Sequence, residues 1–179
     1  MKGMITACLF LFLTTNPFAV IDFGKSEGSY GWRIVNDDVM GGRSTSNAHL
    51  TESSMYFEGE VSLQNNGGFA SVRSPYGSND LSDYQEVVIR ARGTSRDFAL
   101  SFDTSRAWYR PNYKFTFTPE EEWSEFRFKL SDLPQYRIGR PTGRTIAPEK
   151  LSSIKRLGII LYDKQAGPFW LEVDYIRFE

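Results

Sequence analysis

The sequence predicts an all-β chain folded as an antiparallel sandwich. Three observations lead there. Apolar and polar residues alternate with a period of two in run after run, while no long segment carries a 3.6-residue apolar repeat. Clusters of Gly, Pro, Ser and Asp interrupt these runs at short, regular intervals. Aromatic residues make up 15% of the 179 positions, and such side chains favour strands and bury large apolar area.

The elements follow in order. Residues 1–19, MKGMITACLFLFLTTNPFA, read as a secretory signal. Lys2 supplies a minimal charged start, and an apolar run from Met4 to Leu13 follows, too short to span a bilayer. A small-residue end at Ala19 completes the pattern. The competing reading is an uncleaved first strand. Cleavage implies a periplasmic or extracellular protein with no integral membrane span; without it the chain is cytoplasmic or organellar. Cys8 is the only cysteine, so the mature chain has no thiol, which excludes disulfides, cysteine nucleophiles and cysteine-ligated zinc.

Residues 20–179 read as one domain, with no linker, repeat or low-complexity tract. Val87, Ile89 and Ala91 alternate with Arg90 and Arg92. Phe98, Leu100 and Phe102 alternate with Ala99, Ser101 and Asp103, and Tyr113, Phe115 and Phe117 with Lys114, Thr116 and Thr118. Phe126, Phe128 and Leu130 make another strand, interleaved with Arg127 and Lys129. Residues 157–162 are almost wholly apolar, as a central strand would be. Phe169, Leu171, Val173 and Tyr175 form the final run. A helical turn is expected around 147–153, and residues 134–148 are expected to form the longest irregular connection.

Two segments differ from the strand runs. WRIVNDDVMGGRSTS begins at Trp32, and LQNNGGFASVR begins at Leu63. Gly41-Gly42 and Gly67-Gly68 allow positive φ or close approach. Asn36, Asn65 and Asn66 tolerate left-handed backbone and bond locally. The reading is of two shaped loops at one end of the sandwich, with Asn36, Asp37, Asp38, Met40, Gly41, Gly42, Arg43, Ser44, Asn65, Asn66, Gly67, Gly68 and Phe69 as candidate ligand or partner contacts.

These segments, with FEGEVSLQNNGGFASVR, the Tyr113–Phe117 strand before Glu122-Trp123, and LGIILYDKQAGPFWLEVDYI, resemble the CIA30 family, the complex I intermediate-associated protein 30 domain. The likeness runs from about residue 21 to 176. It implies a galactose-binding-domain-like jelly roll and a non-enzymatic role. Mitochondrial members are assembly factors of respiratory complex I, so the resemblance implies protein partners among respiratory subunits or assembly factors.

The chemistry read from the residues is sparse. A formal charge of −1 with no long basic run gives no electrostatic footprint for nucleic acid. His49 is the only histidine, and no nucleophile-elbow pattern accompanies it. Asp37 and Asp38 would act as a catalytic pair only if a turn made them converge. No EF-hand spacing is present. No catalytic residue, metal or cofactor is expected. Arginine outnumbers lysine 14 to 7, and its planar fork suits carboxylates and phosphates. Arg73, Arg90 and Arg92 are expected to line one concave sheet face, with the loops at its rim and Arg140 in the long connection; internal ion pairing is the alternative. Trp108 and Trp170 are expected to be exposed as platforms, whereas Trp32 and Trp123 are expected to pack in the core. The function read from all this is a binding domain that engages protein partners during assembly of a larger complex. The alternative is an exported carbohydrate-binding module of the cell envelope.

Overall fold

The computed structural model describes residues 20–24 and 31–179, and the signal-like segment 1–19 lies outside them. Among the described residues, two antiparallel sheets face each other. The first sheet contains β1 (Val20–Asp22), β3 (Thr45–Leu50), β4 (Met55–Val61), β6 (Glu86–Gly93), β9 (Ser124–Lys129) and β13 (Gly167–Phe178). Its order is β3-β4-β13-β6-β9, with β1 also on β13. The second sheet contains β2 (Arg33–Ile34), β5 (Ala70–Arg73), β7 (Phe98–Asp103), β8 (Asn112–Phe117), β10 (Pro134–Arg137), β11 (Arg140–Thr145) and β12 (Arg156–Leu161). Its order is β11-β10-β8-β7-β12-β5-β2. The antiparallel sandwich expected from the alternation is therefore present, and β12 is interior, as its apolar run required.

The core forms where the inward faces meet. Val87, Ile89 and Ala91 of β6 and Leu100 and Phe102 of β7 are completely buried. Aromatic rings close the gap between sheets: Phe115 stacks on Phe128 at 4.8 Å, Phe117 meets Phe126 at 5.0 Å, and Phe98 meets Phe169 at 6.1 Å. Sheets pack about 10 Å apart, a distance that paired rings span without voids. The high aromatic content thus has a packing cause. A register shift in β13 between Val173 and Tyr175 marks a bulge, and the Asp174 carbonyl freed there accepts the Phe23 amide at 2.9 Å.

The expected turn at 147–153 is a 3-10 helix at Pro148–Ser153. The expected irregular connection is instead largely a β-hairpin. β10 and β11 pair antiparallel, with Ile138 and Gly139 at positive φ in the turn. Every β11 residue is exposed, so no core face imposed an apolar alternation on it.

Candidate functional site

One buried carboxylate joins the two glycine-rich loops. A 3-10 turn at Asp37–Met40 is closed by Gly41 at φ 87°. The Asp37 side chain turns inward and is wholly buried. Its oxygens accept the Ser44 amide at 2.9 Å, the Ser44 hydroxyl at 2.5 Å, the Gly68 amide at 2.7 Å and the Phe69 amide at 3.2 Å. Burial pushes its pKa up, but the Ser44 hydroxyl and the Gly68, Ser44 and Phe69 amides outweigh that and hold it below the usual carboxylate value. Close approach explains two glycines. A Cβ on Gly42 would stand 2.3 Å from Asp37 Oδ1, and one on Gly67 would stand 2.7 Å from Oδ2.

Asn36 works beside it, accepting the Ser46 hydroxyl at 2.8 Å and the Ser71 amide at 3.3 Å. Asn65 donates to the Gly41 carbonyl at 3.2 Å. Asn65 and Asn66 both take positive φ, as does Gly68. The loops are therefore adjacent and cross-bonded. Asp38 is exposed while Asp37 is buried, so the two carboxylates do not share a cleft.

Among the polar residues that these loops present to solvent, Asp38, Arg43, Gln64, Asn65 and Asn66, stand three apolar side chains. Val39 is 66% exposed, Met40 67% and Leu63 45%. A depression of about 480 Å³ opens at Leu63, lined also by Glu60, Val61, Ser62, Gln64 and Ala166. Arg43 is exposed on the same loop. A second clamp holds the β12–β13 connection: Arg96 meets Asp163 through Nε at 2.9 Å and Nη2 at 2.8 Å.

The arginines do not share a face. Arg73 lies on β5 of the second sheet, whereas Arg90 and Arg92 lie on β6 of the first. The chain crosses between sheets from β5 to β6, so equal alternation on the two strands leads to opposite outer surfaces. Arg90 pairs with Asp174, and Arg92 pairs with Glu172 at 2.7 Å. Both guanidiniums sit over Trp123, at 4.8 and 4.9 Å from its ring centre. Trp123 is therefore a surface shelf and not a core residue, while Trp32 packs against the core as expected. Trp170 stacks on Tyr56 at 5.9 Å, half-buried on that same first sheet. His49 is exposed on β3 beside Tyr56. Arg140 is exposed on β11.

The outer face of the second sheet carries residues that the sequence reading did not bring together. Asp103 of β7 holds Arg156 of β12 through Nε at 2.9 Å and Nη2 at 2.6 Å. Arg156 and Arg106 lie over Tyr76 at 4.2 and 4.9 Å. Lys114 of β8 lies under Tyr136 and Tyr162, with Nζ 4.1 and 3.4 Å from the ring centres. Trp108 is 76% exposed in the β7–β8 connection, next to Tyr109. The sequence signal was the polar register of β7 and β8, but joining it to Tyr76, Tyr136 and Tyr162 required the strand order. Among the described residues, no group of three His, Cys, Asp or Glu is arranged to hold a metal ion, and no helix is long and apolar enough to cross a membrane.

Comparison with known proteins gives two kinds of match. The family profile of Complex I intermediate-associated protein 30 (CIA30) matches residues 21–173. Among solved structures, the chain is similar to the family 11 carbohydrate-binding module of the cellulosomal cellulase Lic26A-Cel5E of Clostridium thermocellum. That match has a TM-score of 0.62 at 12% identity and covers 84% of this chain and 89% of that one. The Clostridium thermocellum family 11 module in complex with a β-1,3-1,4-mixed-linked tetrasaccharide gives 0.60 at 13% identity, covering 84% and 90%. An agarase, AgWH50C, gives 0.54 at 14% identity, covering 90% of this chain and 25% of that one. At these identities the likeness concerns the fold, a jelly-roll sandwich. No curated protein matches by sequence.

Proposed function

The chain belongs to the CIA30 family, and from that premise we propose that it is a non-catalytic binding domain that grips a protein partner during assembly of a larger complex. The observation that carries this reading is a set of exposed apolar side chains on two cross-bonded loops. Val39, Met40 and Leu63 stand exposed on loops that the Asp37 carboxylate locks to each other. Exposed apolar side chains on preorganised backbone are what a docking surface needs, because little ordering entropy remains to be lost on binding. Affinity capture from native cells tests it, with wild type beside Val39→Asp/Met40→Asp. The expected result is a reproducible set of subunits or assembly factors of one multi-subunit complex, depleted at least about tenfold by the double substitution. Recovery of no such set, or an unchanged set, counts against it.

A second reading, saccharide binding, is favoured by the outer face of the second sheet, where tyrosine rings lie among charged and hydroxyl groups and Trp108 stands in solvent. A glycan array with Trp108→Ala tests it, and Trp170→Ala on the other sheet serves as the control. Removal of residues 1–19 would place the domain outside the cytoplasm, which an N-terminal mass from a cell fractionation checks.

A further inference from the structure

Four outward residues lie in one row across the second sheet. Lys114 is opposite Ser101, Ser101 is opposite Gly158, and Gly158 is opposite Arg73. The row thus has a cation at each end and two small residues between. Strands lie about 4.8 Å apart, so the end Cα atoms are separated by roughly 14 Å. The Arg73 stem bends into that gap: a Cβ on Gly158 would stand 3.2 Å from Arg73 Cγ and 2.9 Å from Ser101 Oγ.

The charges in this row are not balanced from within. Among the described residues, neither Lys114 nor Arg73 has a salt bridge, and the one carboxylate in the next row, Asp103, is engaged by Arg156 at 2.6 Å. Lys114 is only 4% exposed. Burial, and then the Arg73 charge, push its pKa down to about 8. Arg73 is lowered in turn, by burial and by Arg156, against an opposing pull from Asp103 and Tyr76. Beyond it, Arg33 of β2 is directly opposite Arg73, a like-charge cross-strand pair, which destabilises. The outer face of the first sheet shows the contrast, since Arg90, Arg92, Arg127 and Arg177 each have a carboxylate partner.

We propose that the Lys114–Ser101–Gly158–Arg73 row is a binding site for an acidic saccharide, with the sugar carboxylate held between the two cations and the ring lying against the flanking Tyr136 and Tyr162. An anion placed there gains two charge-assisted contacts and relieves repulsion that the fold otherwise retains. The saccharide assignment rests on the second reading above. Its particular support is the amphiphilic surround: the rings of Tyr136 and Tyr162 beside Lys114, and hydrogen-bonding groups in the neighbouring row at Asp103 and Asn112. A pyranose ring presents both C–H faces and hydroxyls to such a surface.

Calorimetric titration of the full chain tests this. The probes are trisaccharides of galacturonate, glucuronate and mannuronate, each beside its neutral counterpart. Sodium sulfate and a poly-glutamate peptide complete the set. One uronate is expected to bind at least about tenfold tighter than its neutral partner, and Arg73→Gln and Lys114→Met are each expected to weaken it about tenfold without changing neutral binding. Thermal unfolding of each variant confirms that it is folded, and Arg73→Gln, on a half-buried surface position, keeps the test valid if Lys114→Met is unstable. Equal binding of acidic and neutral sugars overturns the inference while leaving the saccharide reading intact. Binding of no sugar overturns both. Tighter binding of poly-glutamate or sulfate than of any uronate overturns the saccharide assignment.

Discussion

Asp37 Oδ2 accepts the Gly68 amide at 2.7 Å across 31 positions of sequence. That single contact fixes the separation of the two glycine-rich loops, and with the three other donors on the same carboxylate it makes the loop pair one rigid body. Asp37→Asn places an amide NH2 among these donors. The expected loss is about 2–4 kcal/mol in urea unfolding, since hydrogen bonds to a charged group are broken and buried donors are left unmet. The pH dependence has a defined sign. The folded-state pKa is depressed, so the stabilisation is fully present above about pH 4 and fades as pH falls through the folded value. Wild type should therefore lose more stability than Asp37→Asn over that acid range.

Gly67→Ala and Gly42→Ala are expected to destabilise by at least about 2 kcal/mol, because the new methyl group meets a buried carboxylate that has no room to retreat. A methyl group on Gly77 would have nothing within 4 Å, so Gly77→Ala should stay within about 0.5 kcal/mol of wild type. Equal effects at the three positions in chemical denaturation would contradict the cross-bonded loop pair.

The Arg96–Asp163 pair is buried, with side-chain exposures of 8% and 2%. Arg96 also donates to the Gly167 and Pro168 carbonyls at 3.1 and 3.3 Å. Asp163→Ala should cost about 3–5 kcal/mol by stranding the guanidinium. Amide exchange should accelerate first at residues 162–168, ahead of the sheet interior.

Lys114 gives a basic-range signature. Its folded pKa, about 8, lies below the ordinary lysine value, so the unfolded chain binds the extra proton between about pH 8 and 10 and stability rises with pH there. Lys114→Met should lack that rise in denaturant titrations between pH 7.5 and 9.5. The groups around it are Arg73, Arg156, Asp103, Tyr136 and Tyr162. Burial and the hydrogen bond with Tyr136 raise the Tyr162 pKa, so that phenol remains protonated through the window.

Much of the fold was legible because the core imposes a period of two wherever a strand has one buried face. Phe98, Leu100 and Phe102 declared β7 in this way, and the apolar run at 157–162 declared an interior strand. β11 escaped notice because all of its residues face solvent, leaving nothing to alternate. The site was harder to read. Clusters of Asn and paired Gly announced two loops, but the inward turn of Asp37 depends on donors at 44, 68 and 69, which only the folded chain assembles. Arg73 and Arg90 follow identical local patterns, and their assignment to opposite surfaces depends on a crossover that the residues between them do not encode as alternation. Trp123 reads as core by size, yet it lies just ahead of β9 beneath two guanidiniums.

β13 pairs with β4 and β6 along its length and with β1 beyond its bulge. The strands it unites are all made earlier, so a nascent chain leaving the ribosome carries β4 and β6 each with one edge open until residue 167 has emerged. Such late closure favours slow folding and leaves β4 and β6 as exposed edges in the interim. Premature termination upstream of β13 should therefore yield insoluble protein, and a chaperone that shields those edges should act on this chain during synthesis.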